Sequence, residues 1–427
     1  MMIPIALSLL CSLNLAQEPQ ESEAAGKQVG ALRAAASEIS EQITQLRGKA
    51  FQGEVQVQVS GRAAFLRYAR ERMESLHGPL RMGLDQQVAH LAGLIPWDMD
   101  LEKVTLGVLE EQVGGFYDPK TDTFYIMEGF SPDFARLVMA HELTHALDDQ
   151  YHDLDGTDSK LRANSDAILA HHAVAEGSAQ VVTTRWLQAN LARLDQSVLL
   201  EQQAAQKTDA LQAAPPFIWK PLLGLYSQGQ AFLERGLDSK PGQAQLAGLE
   251  AAFLKLPRST EQILHPSKYW DEEQWDEPVQ IDIGAGSLAE GWELALEDTF
   301  GEMMLALLCE PLGQRTGMSA SPLALAQLRF SNASAAGWGG DCFVLLRKAG
   351  AQVLFLVTAW DSPKDADEFL AAMKLIEVEL RERAGGKAFD RGYLTQRVDD
   401  KRVDWMAWRG IDAATAKEIV RTLEVRL

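Results

Sequence analysis

The pentapeptide His141-Glu142-Leu143-Thr144-His145 restricts the fold and chemistry of this chain more than any other segment. Positions i and i+4 lie on one face of an α-helix, so the two imidazoles can bind a single Zn²⁺ from that face. Glu142 then lies beside the metal, where its carboxylate can accept a proton from metal-bound water. The pentapeptide therefore predicts a helix that carries two zinc ligands and a general base.

The residues around the pentapeptide also predict a helix. Ser131 is a typical N-cap residue, Pro132 suits the first helical position, and Asp133 places an acid in the first turn. Apolar residues follow at helical spacing, and no Gly or Pro interrupts the segment up to Tyr151. Two histidines four residues apart can also be a simple surface pair, but the Glu between them favours a metal site.

A catalytic zinc site needs a third protein ligand, with water in the fourth position. One large class of zinc enzymes uses a His six residues after the second His, but Tyr151 stands there, and no Cys lies nearby upstream to serve instead. Residues 164–187 are predicted to form a later helix. Glu176 lies in a nearly uncharged part of it, beside Gly177 and other small residues that allow close helix packing. Glu176 is therefore the predicted third ligand, and the alternatives are His171, His172 and Asp149.

With these ligands the chain resembles the gluzincin-type zinc metallopeptidases, whose ligands are the two His of H-E-x-x-H and a downstream Glu. It is also similar to a group of poorly characterised secreted bacterial proteins predicted to be metalloproteases. The matching segments are 115–121, 141–154, 176–177, 257–266 and 337–341. The resemblance implies hydrolysis of peptide bonds by metal-activated water, with Glu142 as the general base.

Two features of that family have no obvious counterpart in this chain. In thermolysin-like relatives an Asp four residues after the Glu ligand orients a zinc-binding His, whereas Gln180 stands there in this chain. Asp149 and Asp166 are possible substitutes. Such an enzyme also needs a second electrophile for the oxyanion, usually a Tyr or His from the far wall of the cleft. The candidates are His265, Tyr226 and Tyr269. His265 is preferred because it lies in a matching segment and precedes a rigid Pro.

Composition and the N-terminus indicate an exported protein. Sixty acidic and forty basic residues give a net charge of −20, which opposes binding to nucleic acids or anionic membranes. Residues 3–15 form an apolar run that is too short to span a bilayer but fits a signal peptide, with cleavage near Ala16. We therefore predict a periplasmic or secreted protein without a membrane span; lipid attachment at Cys11 is the alternative. Cleavage would leave Cys309 and Cys342, as a disulfide or as two buried thiols.

The predicted fold class is α+β, mainly helical, with enough chain for two or three domains. The predicted order is a signal peptide (1–16), a disordered start to about residue 30 and a helical lead-in (17–95), a zincin-like metallopeptidase domain (96–312) and a small α+β module (320–427). Alternation at Val104, Leu106 and Val108 leads into a hairpin with its turn at 118–122. Residues 190–310 are expected to be mostly helical, and the last hundred residues predict the order ββαββα.

Two other functions are compatible with the zinc motif. A zinc-bearing binding or scaffold protein would keep the site behind a blocked cleft, although a purely structural zinc does not need the base Glu142. A zinc hydrolase acting on a non-peptide amide is the second alternative. The expected partner is a peptide or protein substrate, and the sequence does not indicate the oligomeric state.

Overall fold

The computed structural model describes residues 23–205, 208–238, 247–286, 288–315, 317–318, 327–383 and 391–427. The protein is an α+β protein, 57% helical, in agreement with the predicted fold class. The predicted signal peptide lies outside the described residues, so export stays a prediction. Among the helices of the described part, none is both long and apolar enough to cross a membrane.

In the described part of the chain, four helices and a three-stranded sheet precede the helix with the zinc motif. They are α1 (Glu23–Arg47), β1 (Gln56–Ser60), α2 (Arg62–His77), α3 (Arg81–Leu91), α4 (Leu101–Gln112), β2 (Gly115–Asp118) and β3 (Thr123–Met127). Strand β1 pairs in parallel with β3, and β2 pairs antiparallel with β3, which forms the predicted hairpin. Ile39 and Ile43 of α1 are fully buried in the main hydrophobic core, so α1 is an integral part of the fold.

Two parts of this region differ from the prediction. Val104, Leu106 and Val108 lie in helix α4, because Asp100 caps this helix by accepting a hydrogen bond from the backbone N–H of Lys103. Helix α1 begins at Glu23, so residues 23–30, which were expected to be disordered, are helical. The alanines of this segment are the strongest helix formers, which explains the early start.

The two helices with the predicted ligands have the predicted starts. Helix α5 (Pro132–His152) carries the H-E-x-x-H motif, and Ser131 accepts a hydrogen bond of 3.3 Å from the N–H of Phe134. After the short α6 (Leu154–Leu161), helix α7 (Ser165–Asn190) is capped by Asn164, which accepts from the N–H of Ala167 at 2.9 Å. Most of α7 is buried, which explains why its sequence is nearly uncharged.

Among the described residues, seven more α-helices lie between α7 and residue 338: α8 (Gln196–Ala205), α9 (Asp209–Ala213), α10 (Pro216–Asp238), α11 (Ala247–Leu254), α12 (Thr260–Leu264), α13 (Ser267–Trp270) and α14 (Gly301–Leu308). Residues 190–310 are therefore mostly helical where the structure describes them, as predicted. They also contain two strands that were not predicted, β4 (Asp282–Gly284) and β5 (Glu293–Asp298).

Helices α7 and α10 cross at two glycines. A Cβ atom on Gly229 would overlap the carbonyl oxygen of Ala173, and one on Gly177 would overlap the backbone of Gly229. The two backbones are thus in direct contact, which only glycine permits at these positions. Because Gly177 follows Glu176 directly, this crossing sets the distance between Glu176 and helix α10.

Replacing Gly229 by alanine is expected to destabilise the protein by roughly 3 kcal/mol, because an overpacked methyl group forces two helices apart. Gly83→Ala is the matched control. Gly83 also lies within a helix, but a Cβ there meets no atom within 4 Å. This control should therefore gain roughly 0.5–1 kcal/mol from its higher helix propensity. Urea unfolding measures both changes. Equal stability of Gly229→Ala and wild type would contradict the close crossing.

The C-terminal region forms a five-stranded antiparallel sheet with the order β5-β6-β7-β9-β8. Its elements are β6 (Trp338–Lys348), β7 (Ala351–Trp360), α15 (Pro363–Arg383), β8 (Arg391–Arg397), β9 (Arg402–Arg409), α16 (Ala413–Val420) and β10 (Glu424–Arg426). These elements include the predicted order ββαββα. Phe369 of α15 is buried against one face of the sheet, and Ile419 of α16 belongs to the separate core on the other face.

The sheet also includes β5, which pairs with β6 although it precedes the predicted module by more than twenty residues. A strand pairs with residues that are distant in the sequence. The six residues of β5 therefore do not indicate which sheet the strand joins. The division into domains stays a prediction. Cys309 and Cys342 are both buried free thiols, which agrees with the second of the two expectations for them.

Candidate functional site

Helices α5 and α7 bring the three predicted ligands together. His141 Nε2 lies 3.2 Å from Glu176 Oε2, His145 Nε2 lies 3.2 Å from His141 Nε2, and His145 Nε2 lies 3.5 Å from Glu176 Oε2. The His141 side chain keeps 14% of its surface exposed, whereas those of His145 and Glu176 are buried. The three atoms therefore surround one point and could hold a metal ion.

The electrostatics of Glu176 favour an ionised carboxylate. Burial alone would raise its pKa, but the neighbouring His145 and His141 act in the opposite direction and lower the pKa to about 2. A carboxylate must be ionised to bind a cation. The Glu176 carboxylate is therefore ionised beside the two histidines.

Glu142 is almost completely buried next to these residues, with 3% of its surface exposed. The backbone N–H of Tyr117 in β2 donates a hydrogen bond to it, and its Oε2 atom has no partner among the described residues. Burial raises the pKa of Glu142 to about 8, helped by the charge of Glu176 and opposed by His141. The hairpin thus holds the carboxylate, while its buried Oε2 atom makes no hydrogen bond among the described residues.

Of the three candidate oxyanion donors, Tyr226 is the one in contact with the cluster. Its ring stacks on His141, with 5.9 Å between ring centroids and an interplanar angle of 29°. Tyr226 precedes Gly229 by three residues on α10, so the glycine crossing brings it to this position. His265 Nε2 instead lies 2.8 Å from Glu302 Oε1, and the Tyr269 hydroxyl donates to the carbonyl of Lys255.

The two acids expected to orient a zinc-binding His have other partners. Asp149 accepts hydrogen bonds from the Leu154 N–H at 2.9 Å and the Tyr117 hydroxyl at 3.2 Å. Asp166 accepts from the backbone and hydroxyl of Thr260. The Nδ1 atom of His145 has no hydrogen-bond partner within the described part of the chain.

A buried network of one ion pair and one hydrogen bond lies next to the site and was not predicted. Asp148 is fully buried, forms an ion pair with Arg47 at the end of α1, and accepts a 2.6 Å hydrogen bond from Ser178. Asp148 lies three residues after His145 and Ser178 two after Glu176, so this network links the ligand helices and α1. The one feature of the sequence that could have indicated this network is an acidic residue on the buried side of a helix. Its partner is 101 residues away, which gives no local indication.

A second group, Asp158, His171 and His172, could also hold a metal ion. Both histidines contact the same oxygen, with His171 Nδ1 and His172 Nε2 each 2.9 Å from Asp158 Oδ1. The guanidinium of Arg72 lies 3.8 Å from the same carboxylate. These are hydrogen-bond distances, and the adjacent cation disfavours a further positive charge. This group is best explained as a buried hydrogen-bonded cluster.

A third acidic group has its own cation. Glu261, Asp276 and Asp361 all pair with the ammonium of Lys268 at 2.6–2.7 Å. The lysine already neutralises part of this charge, so the group is a structural ion-pair cluster. Of the acidic and histidine clusters described here, the one formed by His141, His145 and Glu176 is the best candidate for a functional metal centre.

Comparison with known proteins gives one match. Residues 293–418 match a family described as "Domain of unknown function (DUF8575)". No curated protein and no solved structure matches the chain. The matched range begins at β5 and ends in α16, so it covers the large sheet and does not include His141, His145 or Glu176.

Proposed function

We propose that this protein is a zinc-dependent peptidase of the gluzincin type, with His141, His145 and Glu176 as the zinc ligands. The observation that carries the proposal is the spacing of their atoms. Ligand atoms held tetrahedrally by zinc at bond lengths of about 2.0 Å lie about 3.3 Å apart. The three distances of 3.2, 3.2 and 3.5 Å agree with this geometry. Two neutral imidazoles and one carboxylate are also a usual donor set for catalytic zinc.

A zinc ion held there would lower the pKa of a water molecule and polarise a substrate carbonyl. The role of the chain's own residues follows from their positions. Glu142 accepts the proton of the attacking water and delivers it to the leaving amine. Its buried carboxylate is held by the N–H of Tyr117, and Oε2 makes no hydrogen bond among the described residues, so this oxygen is the proposed proton acceptor.

Tyr226 is the proposed donor to the oxyanion, in place of His265. Its ring lies against His141, at the exposed side of the cluster, whereas His265 is paired with Glu302. A hydrogen bond that strengthens as negative charge develops on the substrate oxygen lowers the barrier selectively. The substrates would be extracytoplasmic peptides or proteins, since we predict export, and the catalytic unit would be zincin-like.

The proposal is tested with zinc-loaded mature protein and a broad library of unstructured peptides. We expect cleavage that a chelator abolishes and added zinc restores. Hydrolysis of non-peptide amides without peptide cleavage would establish the amidohydrolase alternative. Zinc binding without any hydrolysis would instead establish the binding or scaffold protein. Residues 17–95 should be kept in this assay, because α1 and β1 belong to the fold.

Tyr226→Phe is expected to lower kcat by roughly a hundredfold while KM and zinc content stay near wild type, because the ring stacking remains and only the hydroxyl is lost. His265→Asn is the comparison variant and should retain most of the activity. Steady-state kinetics with one peptide decide between the two residues. A large loss in His265→Asn together with a normal rate in Tyr226→Phe would reverse their roles.

A further inference from the structure

A cavity of about 330 Å³ lies apart from the His141 cluster and shares no residue with it. It is formed by the segment after α3, residues 213–215, the end of α15 and strand β8. Lining residues that bear on its chemistry are Trp97, Arg315, Leu380, Arg383, Arg391 and Tyr393. It thus combines apolar and aromatic surface with three arginines, although the chain as a whole carries a net charge of −20.

Trp97 is the centre of a stacked group in this cavity. The guanidinium carbon of Arg391 lies 3.9 Å from the centre of the Trp97 ring, and that of Arg409 lies 4.7 Å from it. The imidazole of His90 also stacks on Trp97, with 4.9 Å between ring centroids. A guanidinium stacked on an aromatic face keeps its in-plane N–H donors free, and these donors suit a carboxylate.

Several guanidinium groups at this cavity form no ion pair within the part of the chain that the structure describes. Among the described residues, no carboxylate forms an ion pair with Arg383, Arg391 or Arg409. Arg315 donates its hydrogen bonds to backbone carbonyls, including those of Gly93 at 2.6 Å and Leu308 at 2.7 Å. The pKa of His90 is lowered by burial and further by Arg409 and Arg391, as expected in a positive field.

Two acids that lie near Arg315 and Arg383 in the sequence have other partners. Glu310 pairs with Lys220, and Glu379 accepts a 2.6 Å hydrogen bond from the N–H of Leu312. Arg383 donates one hydrogen bond of 3.1 Å to the carbonyl of Leu312, which leaves its other N–H donors for a ligand. Guanidinium groups without a carboxylate partner, beside an aromatic surface, are the donor set that proteins use to recognise planar anions.

We propose that this cavity binds a small organic carboxylate with an aromatic or other flat apolar group. The carboxylate pairs with the in-plane donors of Arg391 and Arg383, and the apolar group packs against Trp97, Leu380 and Tyr393. The volume accommodates a group the size of one aromatic amino acid. This site is independent of the proposed peptidase activity, so the failure of either leaves the other standing.

Isothermal titration of the full mature protein at low salt tests the site. The probes are N-acetyl-phenylalanine, its neutral amide N-acetyl-phenylalaninamide, and inorganic phosphate. We expect saturable binding of the acid, with the amide and phosphate at least tenfold weaker, because only the acid offers both a carboxylate and a ring. Equal binding of acid and amide, equal binding of phosphate, or no saturable heat with the acid would each overturn the proposal.

Variants locate the binding. Arg391→Gln and Arg383→Gln should each weaken binding of N-acetyl-phenylalanine at least tenfold, whereas Arg67→Gln should bind as the wild type does. Arg67 is exposed on α2 and does not line the cavity, so it is a matched loss of one surface charge. Arg383 is also exposed, which keeps that variant informative if Arg391→Gln folds poorly. Unchanged binding in a folded Arg383→Gln or Arg391→Gln variant would exclude this cavity.

Discussion

Glu142→Gln is expected to lower kcat/KM for peptide cleavage by a hundredfold or more while zinc stays bound. Glutamine keeps the size of the side chain but cannot accept a proton from water. It can still accept the hydrogen bond of the Tyr117 N–H that holds Glu142 in place, so the surrounding structure should persist. Steady-state kinetics and metal analysis of the same preparation measure both quantities.

Glu418→Gln is the control for the loss of one acidic charge, because Glu418 is exposed on α16. It should cleave peptides at the wild-type rate. If Glu142→Gln also retains full activity with normal zinc content, general-base transfer by Glu142 is refuted. An adventitious protease in the preparation would show the same rate in both variants and would resist metal removal, so the chelator control separates it from this outcome.

Metal analysis of the purified protein is expected to give close to one zinc per chain, and His145→Ala is expected to lose it. The variant removes one of the three proposed protein ligands, and it leaves a void at a position with 2% side-chain exposure. Glu176→Ala should weaken zinc binding strongly for the same reason, and it removes the negative charge that offsets the cation. Circular dichroism should establish that each variant is folded.

His172→Asn separates the two histidine clusters. His172 hydrogen-bonds to Asp158 and lies in the second cluster, so its loss should leave one zinc per chain. Full zinc content in a folded Glu176→Ala variant would remove Glu176 as a ligand and would return His171, His172 and Asp149 to consideration. Two zinc ions per chain in the wild type, with one retained in His145→Ala, would assign the second ion to the Asp158 cluster.

The local elements of the site could be predicted because their signals are contained in a few neighbouring residues. Ser131 and Asn164 cap α5 and α7 at the expected positions, and the i, i+4 spacing of His141 and His145 sets their common face. The position of Glu176 beside the two histidines could be predicted because a single acid among small and apolar residues is costly to bury without a partner. The apolar pattern was less reliable where it fits both a β-strand and an α-helix. Residues 103–109 alternate as in a strand, but they belong to helix α4.

By itself, the sequence determined the motif helix, the helix that carries Glu176, the hairpin before them and the order of elements after residue 338. The tertiary structure alone decided which distant residues complete the site. Tyr226 reaches His141 because two glycines let α7 and α10 cross in backbone contact, and Asp148 meets Arg47 across 101 residues. Strand β5 likewise pairs with β6, a strand that is distant from it in the sequence. Such contacts depend on how whole helices and strands pack against each other. The residues next to a given position in the sequence do not determine that packing.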